Sequence, residues 1–515
     1  MRQKLSSFRH LFSFLLFVLA LTACRQAQVP ANYQQVKREP LIYPDYARVT
    51  VPVNIAPLNF ELLAPADDAV TRFTAVDHQL VCCGLKVRPD LDEWRSLTAA
   101  ARGGSISVEV FAEKDGLWVR FTPYQIFVSP DSIDPYLSYR MISPSYVSYE
   151  ELTINQRCLE TFDEKVIIDN MLCSTEAGGQ CVNCHNYQQW NPERMQFHAR
   201  HANGGTVIIY DGKAEKVDMK NDSMLSSGVY PAWHPTLKLI AYSTNTTLQT
   251  FHTVDLNKIE VIDAASDLIL YDIDRHQVTT IEQQPDELET FPCWSPDGRW
   301  LYYASAHFKY PADTVDMSEI TLRAQEVKYN LYRKPFNPDT RQFGPRELVF
   351  AADTIGMSAT LPRISPDGRW LMFTMAEWGN FHIWHHDADL WMIEVKNDEV
   401  KSDEVRPVEE INSDDTESYH SWSSNGRWVV FSSRRTDGIF TRPFIAHIDA
   451  EGKASKPFEL PQADPDYHRQ FLRCYNIPEF MRGPVEVTPQ SFARVLKASD
   501  GTPVKYVPSL RKPGM

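Results

Sequence analysis

Pro292-Cys-Trp-Ser-Pro-Asp-Gly-Arg-Trp300 and Pro362-Arg-Ile-Ser-Pro-Asp-Gly-Arg-Trp370 are two copies of one pattern. Looser copies stand at Pro231-Ala-Trp-His-Pro235 and Ser421-Trp-Ser-Ser-Asn-Gly-Arg-Trp428. Self-similarity of this kind is the mark of a repeat architecture. Each copy runs into an apolar strand, at residues 239–242, 301–303, 371–373 and 429–431. Asp-Gly or Asn-Gly supplies the positive-φ residues of a tight hairpin between two strands. A second half-repeat follows after a loop, beginning at Asp267, Asn330, Asp389 and Arg442. The unit is therefore a four-stranded blade. Trp233, Trp294 and Trp422 occupy equivalent places in it and are expected to fill the packing between blades, while Asp297 and Asp367 belong to turns.

The repeat starts Pro231, Pro292, Pro362 and His420 lie 61, 70 and 58 residues apart, whereas a blade needs about 40. The excess falls at residues 243–266, 304–329 and 375–388, each between the second and third strands of its blade. Such loops share one face of a propeller, and irregular loops on a rigid scaffold are where binding usually resides. The insertion face is thus the expected functional face.

Over residues 205–480 the repeat resembles the TolB-type propellers, through its Ser-Pro-Asp-Gly-Arg-Trp copies. That resemblance implies an all-β fold, a propeller of six blades with five or seven as alternatives. The copy at His234-Pro235 lacks the Asp-Gly turn. Ahead of the repeats, residues 43–134 show short alternating strands such as Ile106, Val108 and Val110, then Leu117, Val119 and Phe121, joined across Lys114-Asp115-Gly116. Alternation of this kind marks half-buried antiparallel strands, here of a small β-sandwich. Residues 135–204 are expected to be a first-blade segment, and 481–515 a C-terminal segment that could close the ring.

Arg2, Lys4 and Arg9 precede an apolar run that ends in Leu21-Thr-Ala-Cys24, the order of a secretory signal over residues 1–23. Leu-Thr-Ala-Cys resembles a lipobox, which implies acylation of Cys24 and a lipid anchor in the cell envelope; Arg25-Gln-Ala-Gln28 after it, in place of an acidic run, favours facing the periplasm over surface display. Residues 24–42 then read as a polar tether. Removing residues 1–23 takes away three of the 52 basic residues and none of the 67 acidic ones, so the net charge moves from −15 to −18. Nucleic acid is not an expected partner, since its binding needs a basic footprint.

The motif that carries chemistry is Cys181-Val-Asn-Cys184-His185. Cys-x-x-Cys-His is the attachment pattern for c-type haem: two thiols form thioethers with the vinyl groups and the histidine ligates iron. A covalent haem c is therefore the expected cofactor, with Met195, His198 or His201 as candidate sixth ligand. A strained Cys181–Cys184 disulfide and a zinc site are the alternatives. Because the motif runs into Gly205-Thr-Val-Ile-Ile-Tyr210, a third-strand pattern, the haem is expected on the insertion face. Cys158 and Cys173 are expected to pair with each other.

The whole layout is similar to a family of Bacteroidetes-type lipoproteins with TolB-like propellers, which implies architecture more than activity. Three functions compete. The first is a monohaem protein for single-electron transfer or redox sensing, docked to an envelope redox partner. The second is a non-redox envelope scaffold, or a propeller that binds protein or glycan. The third is a metal-dependent enzyme such as a polysaccharide lyase, using His252, His382, His385, His386 or His420. A peptidase is disfavoured, because no Gly-x-Ser-x-Gly elbow occurs.

Overall fold

The computed structural model describes residues 28–144, 151–174, 180–201, 203–284, 286–312, 314–396, 398–498 and 500–508. The leader and Cys24 lie outside them.

Strand pairing resolves the repeats into six blades among the described residues. Blade two is built from Gln180–Tyr187, Met195–His201, Gly205–Tyr210 and Lys213–Asp218. Blades three to six follow in the same order, and their inner strands are Val229–Trp233, Glu287–Trp294, Ser358–Ile364 and Glu417–Trp422. Blade one closes the ring. Its inner strand is Cys474–Met481, laid antiparallel on Tyr136–Ile142, with Thr153–Cys158 and Glu164–Asp169 outside. Residues 135–204, expected as one blade segment, therefore divide between blades one and two, and closure falls to residues 474–481 instead of 481–515.

Blades pack face to face, so their middle strands are covered on both sides and lose the polar/apolar alternation of a half-exposed sheet. Trp428–Ser433 is buried at every position. Trp294 donates its Nε1–H to Ala232 O (3.1 Å) and Trp422 to Arg363 O (3.1 Å), in each case the carbonyl of the preceding blade. These tryptophans fill the spaces between blades, as expected from their repeat position.

Each inner strand carries one residue at positive φ: Cys184 (53°), Tyr230 (48°), Phe291 (52°), Leu361 (54°), Tyr419 (50°) and Ile477 (52°). At each of these points the ladder slips by a residue. One extra residue in a strand is a β-bulge, which bends the strand and re-aims side chains. Six copies of one bulge narrow the axis to a neck.

Residues 34–129 form a separate unit around a sheet that contains Asp68–Ala75, Ser105–Lys114 and Tyr124–Ser129, with a small second sheet that includes Phe60–Leu62. A helix, Leu91–Ala100, covers it. The alternating strands gave no sign of this helix, but Asp90 caps it by accepting from Asp92 N and Glu93 N, and Trp94 is fully buried beneath it. The unit sits on blade six, where Ser129 Oγ meets His447 Nε2 at 3.1 Å; in the stretch just after it Asp134 accepts from Ser424 N and Oγ (both 2.6 Å), and Trp428 Nε1 donates to Ser132 O (3.1 Å). After the ring closes, helix Pro489–Ala498 buries Phe492 and Leu496 on the outside. The chain then adds Thr502–Pro503 to the outer edge of blade two and Lys505–Tyr506 to that of blade three. Covered edges no longer offer a template for stray strand pairing.

Candidate functional site: the axial mouth on the turn face

The three insertions do not form an open binding face. They lock together. The blade-three insertion extends its hairpin, pairing Leu239–Phe251 with Ile259–Asp272. From it Glu260 Oε2 meets His385 Nε2 of the blade-five insertion at 2.7 Å, and Asp263 Oδ2 accepts from Asn380 Nδ2 at 2.6 Å. Tyr310 of the blade-four insertion donates to Ala264 O (2.7 Å), and Gly379 N donates to Val327 O (2.8 Å). Ile259, Phe381, Ile383 and Trp384 are packed in one apolar cluster with the neck residues Phe291, Leu361 and Tyr419. The axis is thus covered over these blades at the insertion end. Buried carboxylates at this end sit at raised pKa, Asp263 of the lid at about 7 and Glu289 of the inner strand of blade four at about 8, chiefly because burial penalises their charge.

The other end is open. A cavity of about 180 Å³ lies on the axis at the Asp-Gly turn face. Trp190, Trp233, Trp294 and Trp422 line it, with Pro231, Pro292 and Pro366. Polar groups there include Asn186, Arg363 and Glu479, with Gln189, Ser295 and Ser421. Glu479 is buried and accepts from Asn186 Nδ2 at 2.7 Å. Burial raises its pKa to about 7, partly opposed by the Asn186 hydrogen bond and the Arg363 charge.

One wall is strained. Gln189 (φ 52°) and Trp190 (φ 58°) are consecutive non-glycine residues in the left-handed region, where each costs about 1–2 kcal/mol. Such strain persists only where the surroundings fix it. Gln188 Nε2 ties the segment to blade three through His234 O (2.7 Å) and Leu237 O (3.0 Å). Trp190 Nε1 donates to Trp422 O (2.8 Å) in blade six, and Trp190 O accepts from Arg482 N (2.9 Å). The turn of blade two therefore reaches past blade one, and Trp190 remains half-buried at the cavity.

The Cys-x-x-Cys-His motif is not in an insertion. It is the inner strand of blade two, with Cys184 as that blade's bulge residue and His185 next to it, so the expected place of the haem on the insertion face is corrected. Cys184 and His185 line a neck cavity of about 30 Å³; Cys181 does not, and its Sγ accepts from Asn183 Nδ2 at 3.6 Å. Met195, His198 and His201 belong to the second strand, one strand further from the axis. Met195 is fully buried, His198 Nδ1 meets Thr206 Oγ1 at 3.2 Å, and His201 is exposed.

These residues do not fit a covalent haem in this conformation. Two thioethers and an axial imidazole need all three groups on one macrocycle. Only two reach the same cavity, and its volume is about that of one water. His185 alone has a suitable character. Burial and the Arg140 charge lower its pKa to about 3, so the ring is neutral, and neither nitrogen makes a hydrogen bond of good geometry, although the Ile477 backbone lies beside it.

The eight described cysteines are free thiols, so the expected Cys158–Cys173 pair and a Cys181–Cys184 disulfide are not formed. Of the histidines weighed for a metal-dependent enzyme only His382 and His385 lie together, with ring centroids 5.4 Å apart. His252 and His386 are exposed, His382 hydrogen-bonds Gly379 O (2.9 Å), His385 faces Glu260, and His420 reaches Met372 O (3.0 Å). Among the described residues no group of three His, Cys, Asp or Glu could hold a metal ion, zinc included.

No family model matches this chain, and no curated protein matches it in sequence. Among solved structures it is similar to TolB from Acinetobacter baumannii, at 11% identity and a TM-score of 0.41, over 76% of this chain and 84% of that one. It is also similar to a prolyl endopeptidase, at 14% identity and a TM-score of 0.37, over 64% of this chain and 42% of that one. A third is the β-propeller domain of the Trilobed protease from Pyrococcus furiosus, at 12% identity and a TM-score of 0.28, over 68% and 94% of the two chains.

Proposed function

We propose that this chain is a binding propeller of the cell envelope, tethered through an acylated Cys24, whose ligand enters the axial mouth on the turn face. The observation that carries the reading is the asymmetry of the axis: a cavity of about 180 Å³ at one end and an interlocked lid over the other. Pockets with apolar walls and a few convergent polar groups are the usual form of ligand sites. Proline walls and tryptophans wedged between blades keep this one preformed. The thiol at the mouth, Cys293, has its pKa raised by burial, which leaves it protonated and a poor nucleophile. That favours binding over covalent catalysis.

A second reading, the single-electron carrier expected from the motif, has the buried, neutral His185 in its favour. It requires the inner strand of blade two to leave the ladder seen here.

The test is retention of an envelope component by the immobilised mature chain and by Trp190→Ala. The proposal expects a component held by the first and lost from the second. Equal retention by both contradicts it.

A further inference from the structure

We infer that the ligand of the mouth is a neutral pyranose, presented as the end of a glycan; the inference rests on the mouth being the binding site. Three features of the cavity point to it. The first is size. A cavity of about 180 Å³ that opens at the turn face is a little larger than the roughly 150 Å³ that accommodates a single benzene; a pyranose, with about twice the heavy atoms, would enter it in part, as the terminal ring of a glycan, and an extended chain would not. The second is charge. Arg363 lines the cavity opposite in sign to Glu479, a carboxyl that burial holds at about 7 and that is therefore only partly charged near neutrality, and Asn186 adds a neutral amide that donates to it. A cationic ligand would meet Arg363, and an anionic one Glu479. A ring of vicinal hydroxyls, each both donor and acceptor, satisfies guanidinium, carboxylate and amide together.

The third is the wall. Trp233, Trp294 and Trp422 are almost wholly buried between blades. Trp190 is the half-exposed ring at the mouth, fixed at φ 58° by its bond to Trp422 O. A rigid aromatic surface beside hydroxyl-binding groups suits the C–H face of a sugar, which is apolar while its edge is polar. Trp190 therefore positions the ring, and Glu479 with Asn186 reads its edge.

The experiment titrates the full mature chain with methyl glycosides of glucose, galactose, mannose and N-acetylglucosamine, read by tryptophan fluorescence. Trp190→Ala, Trp190→Phe and Glu479→Gln are run beside it, with thermal melts to check folding. The inference expects saturable quenching by at least one glycoside, weakened about tenfold or more in Trp190→Ala and partly kept in Trp190→Phe. The same glycoside competes with the retained envelope component. Saturable binding that is unchanged in Trp190→Ala places the sugar elsewhere and overturns the inference. If no glycoside binds or competes while Trp190-dependent retention persists, the sugar class is wrong and the mouth stands. If nothing is retained through Trp190, both fall.

Discussion

Replacing Trp294 with alanine separates a wedge between blades from a ligand platform. The indole is 6% exposed. It packs against His234 and Phe336, with ring centroids 4.8 and 5.0 Å away, and donates to Ala232 O of the preceding blade. Removing a buried aromatic ring costs about 3–5 kcal/mol. The orphaned carbonyl adds roughly 1 kcal/mol where water cannot reach it. Domains are commonly stable by only about 5–15 kcal/mol, so a loss near 4 kcal/mol removes a large share. Urea unfolding followed by far-ultraviolet circular dichroism is the assay, read as a lower midpoint at unchanged slope. Trp294→Phe keeps the ring and loses the donor, and is expected to cost about 1–2 kcal/mol. Trp190→Ala removes a half-exposed ring and one hydrogen bond, and is expected to cost below about 1.5 kcal/mol. A Trp294→Ala cost under about 1 kcal/mol, or one no larger than that of Trp190→Ala, would refute the division between wedge and platform.

Gly298 and Gly368 hold the same turn position at φ 72° and 74°, but a Cβ on Gly298 would lie 2.4 Å from the His234 ring and one on Gly368 would meet nothing. Gly298→Ala should therefore lower the urea midpoint clearly more than Gly368→Ala, which pays only the φ penalty of about 1 kcal/mol; equal shifts would contradict the packing. Burial holds His185, His198, His382 and His420 neutral, with pKa values lowered to about 3. Stability from them is present above the unfolded pKa near 6.5 and is lost as pH falls from there toward about 3. Buried Asp263, Glu289 and Glu479, raised to about 7 or 8, act with the opposite sign down to their unfolded values near 4. The histidines are therefore read below that: urea midpoints that stay level from about pH 4 to 3 would be inconsistent with four buried neutral rings. Asp134→Ala removes both contacts to Ser424, and is expected to speed amide exchange at the turn of blade six while the inner strand of blade four keeps its protection.

The propeller was legible because its turn chemistry repeats. Asp-Gly and Asn-Gly demand positive φ, and the apolar run after each copy names the second strand. What escaped was the first half of the same repeat. Tyr230-Pro-Ala-Trp233, Phe291-Pro-Cys-Trp294, Tyr419-His-Ser-Trp422, Ile477-Pro-Glu-Phe480 and Cys184-His-Asn-Tyr187 share a bulge residue, then proline or histidine, then an aromatic two further on. In that frame Cys184-His185 is a repeat position as well as the end of a haem motif, and Ile477–Phe480 already marks the closing strand. The three-residue spacing of the cysteines spoke for haem only if the segment was free to curl around one. Inner-strand ladder bonds fix it as an extended strand.

The insertions misled for a different reason. Length and shared placement suggested loops exposed for binding, but Glu260, Asp263, His382 and His385 are buried. Their polarity is spent on each other. Among site residues, Asn186 and Glu479 follow the bulge by two positions in blades two and one, as Arg363 does in blade five, and that register is the signal by which the sequence marks the mouth. Trp190 has no such signal, since its place depends on bonds to blades three and six.

The most direct measurement is a pyridine haemochrome spectrum of the mature chain, produced in a periplasm with a competent haem-attachment system, beside a Cys181→Ala, Cys184→Ala control. A binding propeller with Cys184-His185 built into the ladder predicts no c-type α band in either protein. A band in the wild type alone would contradict the account and return the axis to electron transfer.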